Sequence, residues 1–213
     1  MAPPKKPEDL PAETRARLIR VAGELFAERG FGGASVRDIC ARAHANVAAI
    51  RYHFGSKEAL YREVLLGSHQ DLRDREPIPR LADHRTAEAA LEAWLGFVLR
   101  FLLLRRSTHS FAGQLIAREL QQPTDALTEL IGMVMKPVRD ELDTILDALL
   151  EGRVTKKRRA QLASFTLGLC VFHEFGRPVL ERFGQPPPTD EAGVARLAKD
   201  IARFVLDGVR GAG

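Results

Sequence analysis

Between Ser35 and Lys57 the sequence holds two helical patterns of only about two turns each, joined by a tight turn. A globular core has no need of helices this short, whereas a protein that must push one helix into a DNA groove does. Ser35 is a suitable N-cap for the first of them. Asp38, three residues on, adds a capping-box-like partner and complements the helix dipole. Val36, Ile39 and Ala43 give this helix its inner face. His44-Ala45 makes the turn, and Asn46 caps the second helix, which ends at Phe54-Gly55.

The helix before this pair is expected over residues 12–29, with Leu18, Ile19, Ala22, Leu25 and Phe26 on one face. Gly30, Gly32 and Gly33 end it in a turn around Phe31. Val36, Ile39, Val47, Ile50 and Phe54 are placed to clamp the two short helices together and onto the first. Arg37, Asn46, Ala48, Ala49 and Arg51 are left exposed. Arginine suits bidentate contact with guanine, and small apolar groups allow close approach and can meet a thymine methyl. Tyr52, His53 and Lys57 sit where the third helix would leave the groove. Their hydroxyl, imidazole and ammonium are natural phosphate partners beside the amides that open a fourth helix, capped by Ser56 and reaching about Arg75.

Charge agrees with this placement. Residues 1–57 carry ten Lys/Arg against six Asp/Glu, while residues 58–213 carry twenty-two of each, so the whole net charge of +4 lies on the first segment. Residues 1–11, with four prolines and a Lys-Lys pair, read as a disordered basic arm. The opening Met-Ala-Pro-Pro-Lys-Lys-Pro lacks the order of a signal peptide. The apolar run around Phe97–Leu104 is too short to span a bilayer, and the two cysteines, Cys40 and Cys170, lie far apart in apolar helical patterns. A reducing cytoplasm and no membrane are therefore expected.

Beyond Pro77 and Pro79, helical patterns cover residues 86–105, 111–121, 125–151, 155–176 and 190–209, the last after Pro186-Pro187-Pro188. The expected fold is all-α, with about nine helices. Pro137 should kink its helix. Trp94, Phe97, Phe101, Phe111, Met133 and Met135 could line an apolar pocket or simply fill a core, and Gln114, Arg118, Glu119 and His173 could orient a ligand or form buried hydrogen-bonded pairs. Leu162, Phe165, Gly168, Leu169 and Phe172, with Leu197, Ile201, Phe204 and Val205, are the candidate residues of a four-helix dimer interface. The Lys156-Lys157-Arg158-Arg159 run reads as a solvated helix start. No metal-ligand spacing, phosphate-cradling glycine loop or nucleophile motif is present; His173-Glu174 is the only acid–base pair of note, and adjacent helical residues point apart. No cofactor and no catalysis are expected.

The amphipathic first helix with Leu25-Phe26, the Ser35-Val36-Arg37-Asp38-Ile39 run, and Tyr52-His53-Phe54-Gly55-Ser56-Lys57-Glu58 leading to Leu60-Tyr61 resemble the signature of the TetR family of bacterial transcription regulators. That resemblance implies base contacts near Arg37, Val47, Ala48 and Arg51, and phosphate contacts at Ser35, Tyr52, His53 and Lys57. Two positions depart from the family pattern. His44 stands where glycine is usual, and Arg51 where an aromatic residue is usual. Asn46-Val47-Ala48-Ala49-Ile50, Arg118-Glu119-Leu120-Gln121-Gln122-Pro123-Thr124 and Lys136-Pro137 resemble the subgroup with a CecR-type C-terminal domain.

The resemblance divides the chain into a helix-turn-helix DNA-binding domain (12–57), a connecting helix and linker (58–79) and a ligand-binding and dimerisation domain (80–213). It implies a homodimeric repressor on a palindromic DNA operator, released by a small apolar or aromatic effector. Ligand-dependent activation, or an effector acting as co-repressor, is the alternative.

Overall fold

The computed structural model describes residues 9–104 and 111–210, which fold into helices with no strand among them. The chain order is α1 (Asp9–Gly33), α2 (Val36–Arg42), α3 (Val47–Phe54), α4 (Lys57–Arg75), α5 (Ala87–Leu103), α6 (Ala112–Gln121), α7 (Ala126–Leu130), α8 (Lys136–Leu150), α9 (Lys156–Phe175), α10 (Arg177–Arg182) and α11 (Glu191–Arg210). Residues 1–8 of the expected arm lie outside the described residues, and Asp9, Leu10 and Pro11 already belong to α1. α1 is broken at Gly30 (φ 72°, ψ 173°), the glycine expected to stop it.

Two compact units result, and the division does not follow the prolines alone. The first combines the residues up to Asp74 with Phe111–Ile131; the second combines Arg75–Ser110 with residues 132–213. Residues 111–131, expected inside the C-terminal domain, therefore cluster with the N-terminal helices. The cause is packing and hydrogen bonding that span some ninety residues of sequence. Phe111 lays its ring against Gly23 of α1, where any side chain would run into it. Arg118 of α6 donates from Nε to the Ala27 carbonyl at 2.7 Å and from Nη2 to the Glu28 carbonyl, so it satisfies carbonyls at the end of α1. Leu18, Leu25 and Phe26 of α1, Leu60, Tyr61 and Leu65 of α4 and Leu115 of α6 are all buried. Tyr61 meets Phe26 edge to face with ring centroids 5.0 Å apart.

In the second unit α5 is the central element, packed by α8, α9 and α11. Its core contains Leu91, Trp94, Leu95 and Leu99 with Leu146, Ala163 and Ala198. A helix of this composition is apolar on most of its circumference, as expected when neighbours cover it on several sides. Pro137 breaks the 125–151 pattern as expected. It has no N–H for the α-helical ladder, and a π-helical segment over Ile131–Met135 precedes α8. The short α10 was not visible as a separate element, because Gly176 and Pro178 interrupt the period that would have revealed it.

Several residues expected at a pocket or an interface lie in this core instead. Trp94 is fully buried and its indole N–H donates to the Val138 carbonyl at 3.0 Å. Phe97 is buried in the same cluster, as are Leu162, Ile201 and Val205. Those three face inward because α9 and α11 each turn a small-and-aliphatic stripe toward α5; Leu169 and Leu197 pack partly against the same core. Phe165, Gly168, Phe172 and Phe204 stay on the outside.

Candidate nucleic-acid interface

The short helices begin where their caps dictate. Ser35 Oγ accepts from the Asp38 amide at 3.0 Å, and Asn46 Oδ1 accepts from the Ala48 amide at 2.9 Å. The Asp38 carboxylate lies 3.6 Å from Arg29 of α1. Between the helices, His44 adopts φ 49°, the left-handed conformation that glycine takes without strain. α3 ends at Gly55 (φ 80°), and Ser56 Oγ then accepts from the Ala59 amide to open α4. In that first turn, the Glu58 backbone amide and the Ser56 hydroxyl hold the Glu58 carboxyl below its usual range.

Ile39, Ala43 and Ile50 are buried, and Val36 and Phe54 partly so. Val47, expected among the clamping residues, is instead 50% exposed. As the first residue of a two-turn helix it stands beside Ala48 on the outer side. Cys40, not singled out from the sequence, is buried. It donates from Sγ to the Asn46 carbonyl at 3.6 Å, and burial pushes its thiol pKa up. Arg17 of α1 donates from Nε to the Ala43 carbonyl at 2.6 Å, and Arg42 of α2 pairs with Glu24 and Glu28 of α1. The two-turn helices are thus tied to α1 by polar contacts as well as by apolar burial.

Ser35, Arg37, Asn46, Val47, Ala48, Arg51 and Tyr52, on α2, α3 and their caps, are all exposed. Tyr52 is 80% exposed, and its ring meets that of His53 edge to face at 4.8 Å. An aromatic residue left this bare on a short helix gains nothing from the core. Its amphipathic side chain is free to meet sugar and phosphate. His53 and Lys57 are partly covered; Lys57 Nζ stands 4.3 Å from the centroid of the Phe31 ring. The two guanidinium groups, Arg37 and Arg51, carry the fork geometry that reads guanine edges.

The candidate ligand-contacting residues beyond this region behave differently. Phe111, Gln114 and Arg118 belong to the first unit, whereas Trp94, Phe97, Phe101, Met133 and His173 belong to the second, so the eight are not brought together in one unit. Gln114 and Met133 are exposed, and Phe101 is partly buried. His173 Nδ1 lies 2.7 Å from the Leu169 carbonyl, one turn back on α9. Glu119, beside Arg118, is 0% exposed; it accepts from Tyr61 Oη at 2.6 Å and from the Thr124 amide and hydroxyl at 2.7 and 2.8 Å. Burial and this carboxylate together raise the Tyr61 pKa. Arg62 of α4 pairs with Glu129 of α7 at 3.0 Å. No local spacing could have announced the pairs Tyr61–Glu119 and Arg62–Glu129.

Comparison with known proteins agrees with the geometry. Residues 87–209, more than half of the chain, match the family model described as "HTH-type transcriptional dual regulator CecR, C-terminal domain"; residues 18–64 match "Bacterial regulatory proteins, tetR family". The HTH-type transcriptional repressor NicS of Pseudomonas putida is 28% identical over 203 residues, which cover 92% of each chain. The HTH-type transcriptional regulator UidR of Escherichia coli is 26% identical over 132 residues, 60% of this chain and 67% of its own. The fold is similar to that of the hemolysin II transcriptional regulator HlyIIR, with a TM-score of 0.62 at 20% identity over 89% of this chain and 97% of that one. These relatives are regulators and not enzymes. Among the described residues no helix is long and apolar enough to cross a membrane. The chain belongs to the TetR family of DNA-binding transcription regulators and carries a CecR-type C-terminal domain.

Proposed function

We propose that this regulator is a homodimeric repressor, acting in the cytoplasm, which binds a palindromic operator and leaves it when a small apolar or aromatic effector binds. The observation that carries the dimer is the outer face of α9 and α11. Phe165 and Phe172 on α9 are more than half exposed, and Phe204 on α11 is 69% exposed. Exposed aromatic residues repeated at helical spacing favour burial against another apolar surface. The same patch on a second copy supplies one through a twofold axis. Gly168, between Phe165 and Phe172 and open to solvent, permits the close approach of a partner helix.

Two recognition helices on such an axis enter successive major grooves when they lie about 34–36 Å apart. Arg37, Val47, Ala48 and Arg51 then face base edges, with Ser35, Asn46, Tyr52, His53 and Lys57 near the backbone. An effector that binds better to another spacing lowers operator affinity by shifting the population. The name of NicS supports repression. We assign the effector to the second unit, where the partly buried Phe101 supplies an aromatic ring and His173 an imidazole.

The test is sedimentation and DNA binding by Phe172→Asp with Phe204→Asp. The wild type is expected to sediment as a dimer and to protect both half-sites of a palindrome selected from random sequence. The double variant should be monomeric and bind at least a hundredfold more weakly. A wild-type monomer at micromolar concentration, or a variant with full affinity, refutes the dimeric reading. For the effector, a panel of small aromatic compounds that leaves the wild-type complex intact refutes release.

A further inference from the structure

The turn between α2 and α3 closes by two backbone hydrogen bonds. The His44 amide donates to the Ala41 carbonyl at 3.2 Å, and the Ala45 amide donates to the Cys40 carbonyl at 2.9 Å. This pair of bonds is a common way to end a helix, and it places the residue after the C-cap in the left-handed region, usually as glycine. Here that residue is His44, at φ 49°, and its Cβ works against the conformation. The pattern uses the carbonyls of Cys40 and Ala41. It does not use that of Ala43, the cap residue, which is fully buried. A buried carbonyl left without a donor strongly disfavours the conformation that buries it.

The donor comes from α1. Arg17 Nε lies 2.6 Å from the Ala43 oxygen, and the same guanidinium reaches Thr14 Oγ1 through Nη2 at 3.5 Å. A charged donor held at this length is among the stronger hydrogen bonds available. It acts on the peptide that joins Ala43 to His44, so it fixes the strained residue from the α2 side. Arg51 lies four residues beyond Val47, the first residue of α3, roughly 6 Å along the helix at ~1.5 Å per residue. A change of about 10° in the direction of α3 at its start moves Arg51 by about 1 Å, beyond the ~0.5 Å range of hydrogen-bond lengths to a base edge.

We propose that Arg17 is a positioning residue for DNA recognition: through the Ala43 carbonyl it holds the His44 turn closed and aims α3, without itself touching DNA. The proposal makes His44 and Arg17 a coupled pair. With glycine at position 44 the turn closes unaided, and the arginine matters less.

The test uses the full chain and a duplex that the wild-type protein selects from a random-sequence library. Arg17→Met, which keeps the stem and removes the donors, should weaken binding at least tenfold. The slope of log affinity against log salt should stay unchanged, since no phosphate contact is lost. Arg17→Lys, which retains one charged donor, should stay within threefold of wild type. His44→Gly added to Arg17→Met should restore affinity to within threefold.

A salt slope smaller by about one makes Arg17 a phosphate contact and overturns the proposal. So does an unchanged affinity in Arg17→Met, or a double variant as weak as Arg17→Met alone. If circular dichroism shows Arg17→Met unfolded, recovery of fold and affinity together in the double variant supports the coupling, and failure to recover overturns it. A wild-type protein that selects no duplex overturns the recognition role outright.

Discussion

Replacing Tyr61 by Phe removes one hydroxyl and leaves the ring against Phe26 in place. The hydroxyl donates at 2.6 Å to Oε2 of Glu119, a side chain with no exposed surface. The other oxygen, Oε1, keeps its bonds from the Thr124 amide and hydroxyl. The variant therefore strips one bond from a buried carboxylate and admits no solvent in exchange. Hydrogen bonds to charged groups contribute about 1.5–3 kcal/mol, so the expected loss is about 2 kcal/mol. That is a fall of roughly 4–8 °C in melting temperature if the whole chain unfolds cooperatively. The assay is urea unfolding of wild type, Tyr61→Phe, Glu119→Gln and the double variant, which isolates the pair's own coupling. Tyr52→Phe serves as the control, because its hydroxyl sits on an 80% exposed ring and its loss should change stability by less than about 0.5 kcal/mol. A Tyr61→Phe loss no larger than the control's, or a coupling near zero, would show that this bond contributes nothing to holding residues 111–131 in the first unit.

Burial pushes the Cys170 thiol up to about 12 from an ordinary 9. Its stabilising contribution is thus complete below pH 9 and is lost as pH rises toward 12, since the unfolded chain releases this proton first. Cys170→Ala should flatten the alkaline side of the stability–pH curve, a flattening read by urea midpoints from pH 8 to 11. His44→Gly removes a left-handed Cβ and should raise stability by about 1 kcal/mol, measured in the same way. Arg118→Met should lower stability by about 2 kcal/mol through the exposed ends of two α1 carbonyls; an unchanged urea midpoint would contradict that role. Gly23→Leu should be worse still, because the new side chain meets the Phe111 ring, and limited proteolysis near residue 111 should accelerate.

The helix-turn-helix was legible because its signals are local. Ser35 and Asn46 are caps that act over two or three residues, and Gly55, where the second short helix was read to end, takes φ 80°. The turn at His44 was legible for the same reason, whereas its strain was visible only through the resemblance, which puts glycine at that position. Val47 was not, because a two-turn helix offers too few residues for periodicity to separate an inner face from an outer one. α9 defeats periodicity in the opposite way. It carries an apolar stripe on each side, Leu162, Ala163 and Cys170 inward and Phe165 and Phe172 outward, and sequence alone does not say which one meets α5. Arg118 and Glu119 resembled ligand-orienting groups because their true partners, Ala27, Glu28 and Tyr61, are separated from them by 58 to 91 residues.

The segment Phe111–Ile131 that joins the first unit has a consequence for how such regulators can be recombined. A chimaera cut once, near Pro77, would hand the recipient a reading head without Leu115, Arg118 and Glu119, and would set it against the recipient's α6, shaped for a different α1. Exchange has to be made at three junctions, near residues 75, 110 and 131, so that α6 and α7 travel with the helices they grip. During synthesis the same arrangement sets an order. The ribosome must pass Glu119 before Tyr61 has its acceptor, so the DNA-reading end of the chain is completed only after α5 of the second unit has been made.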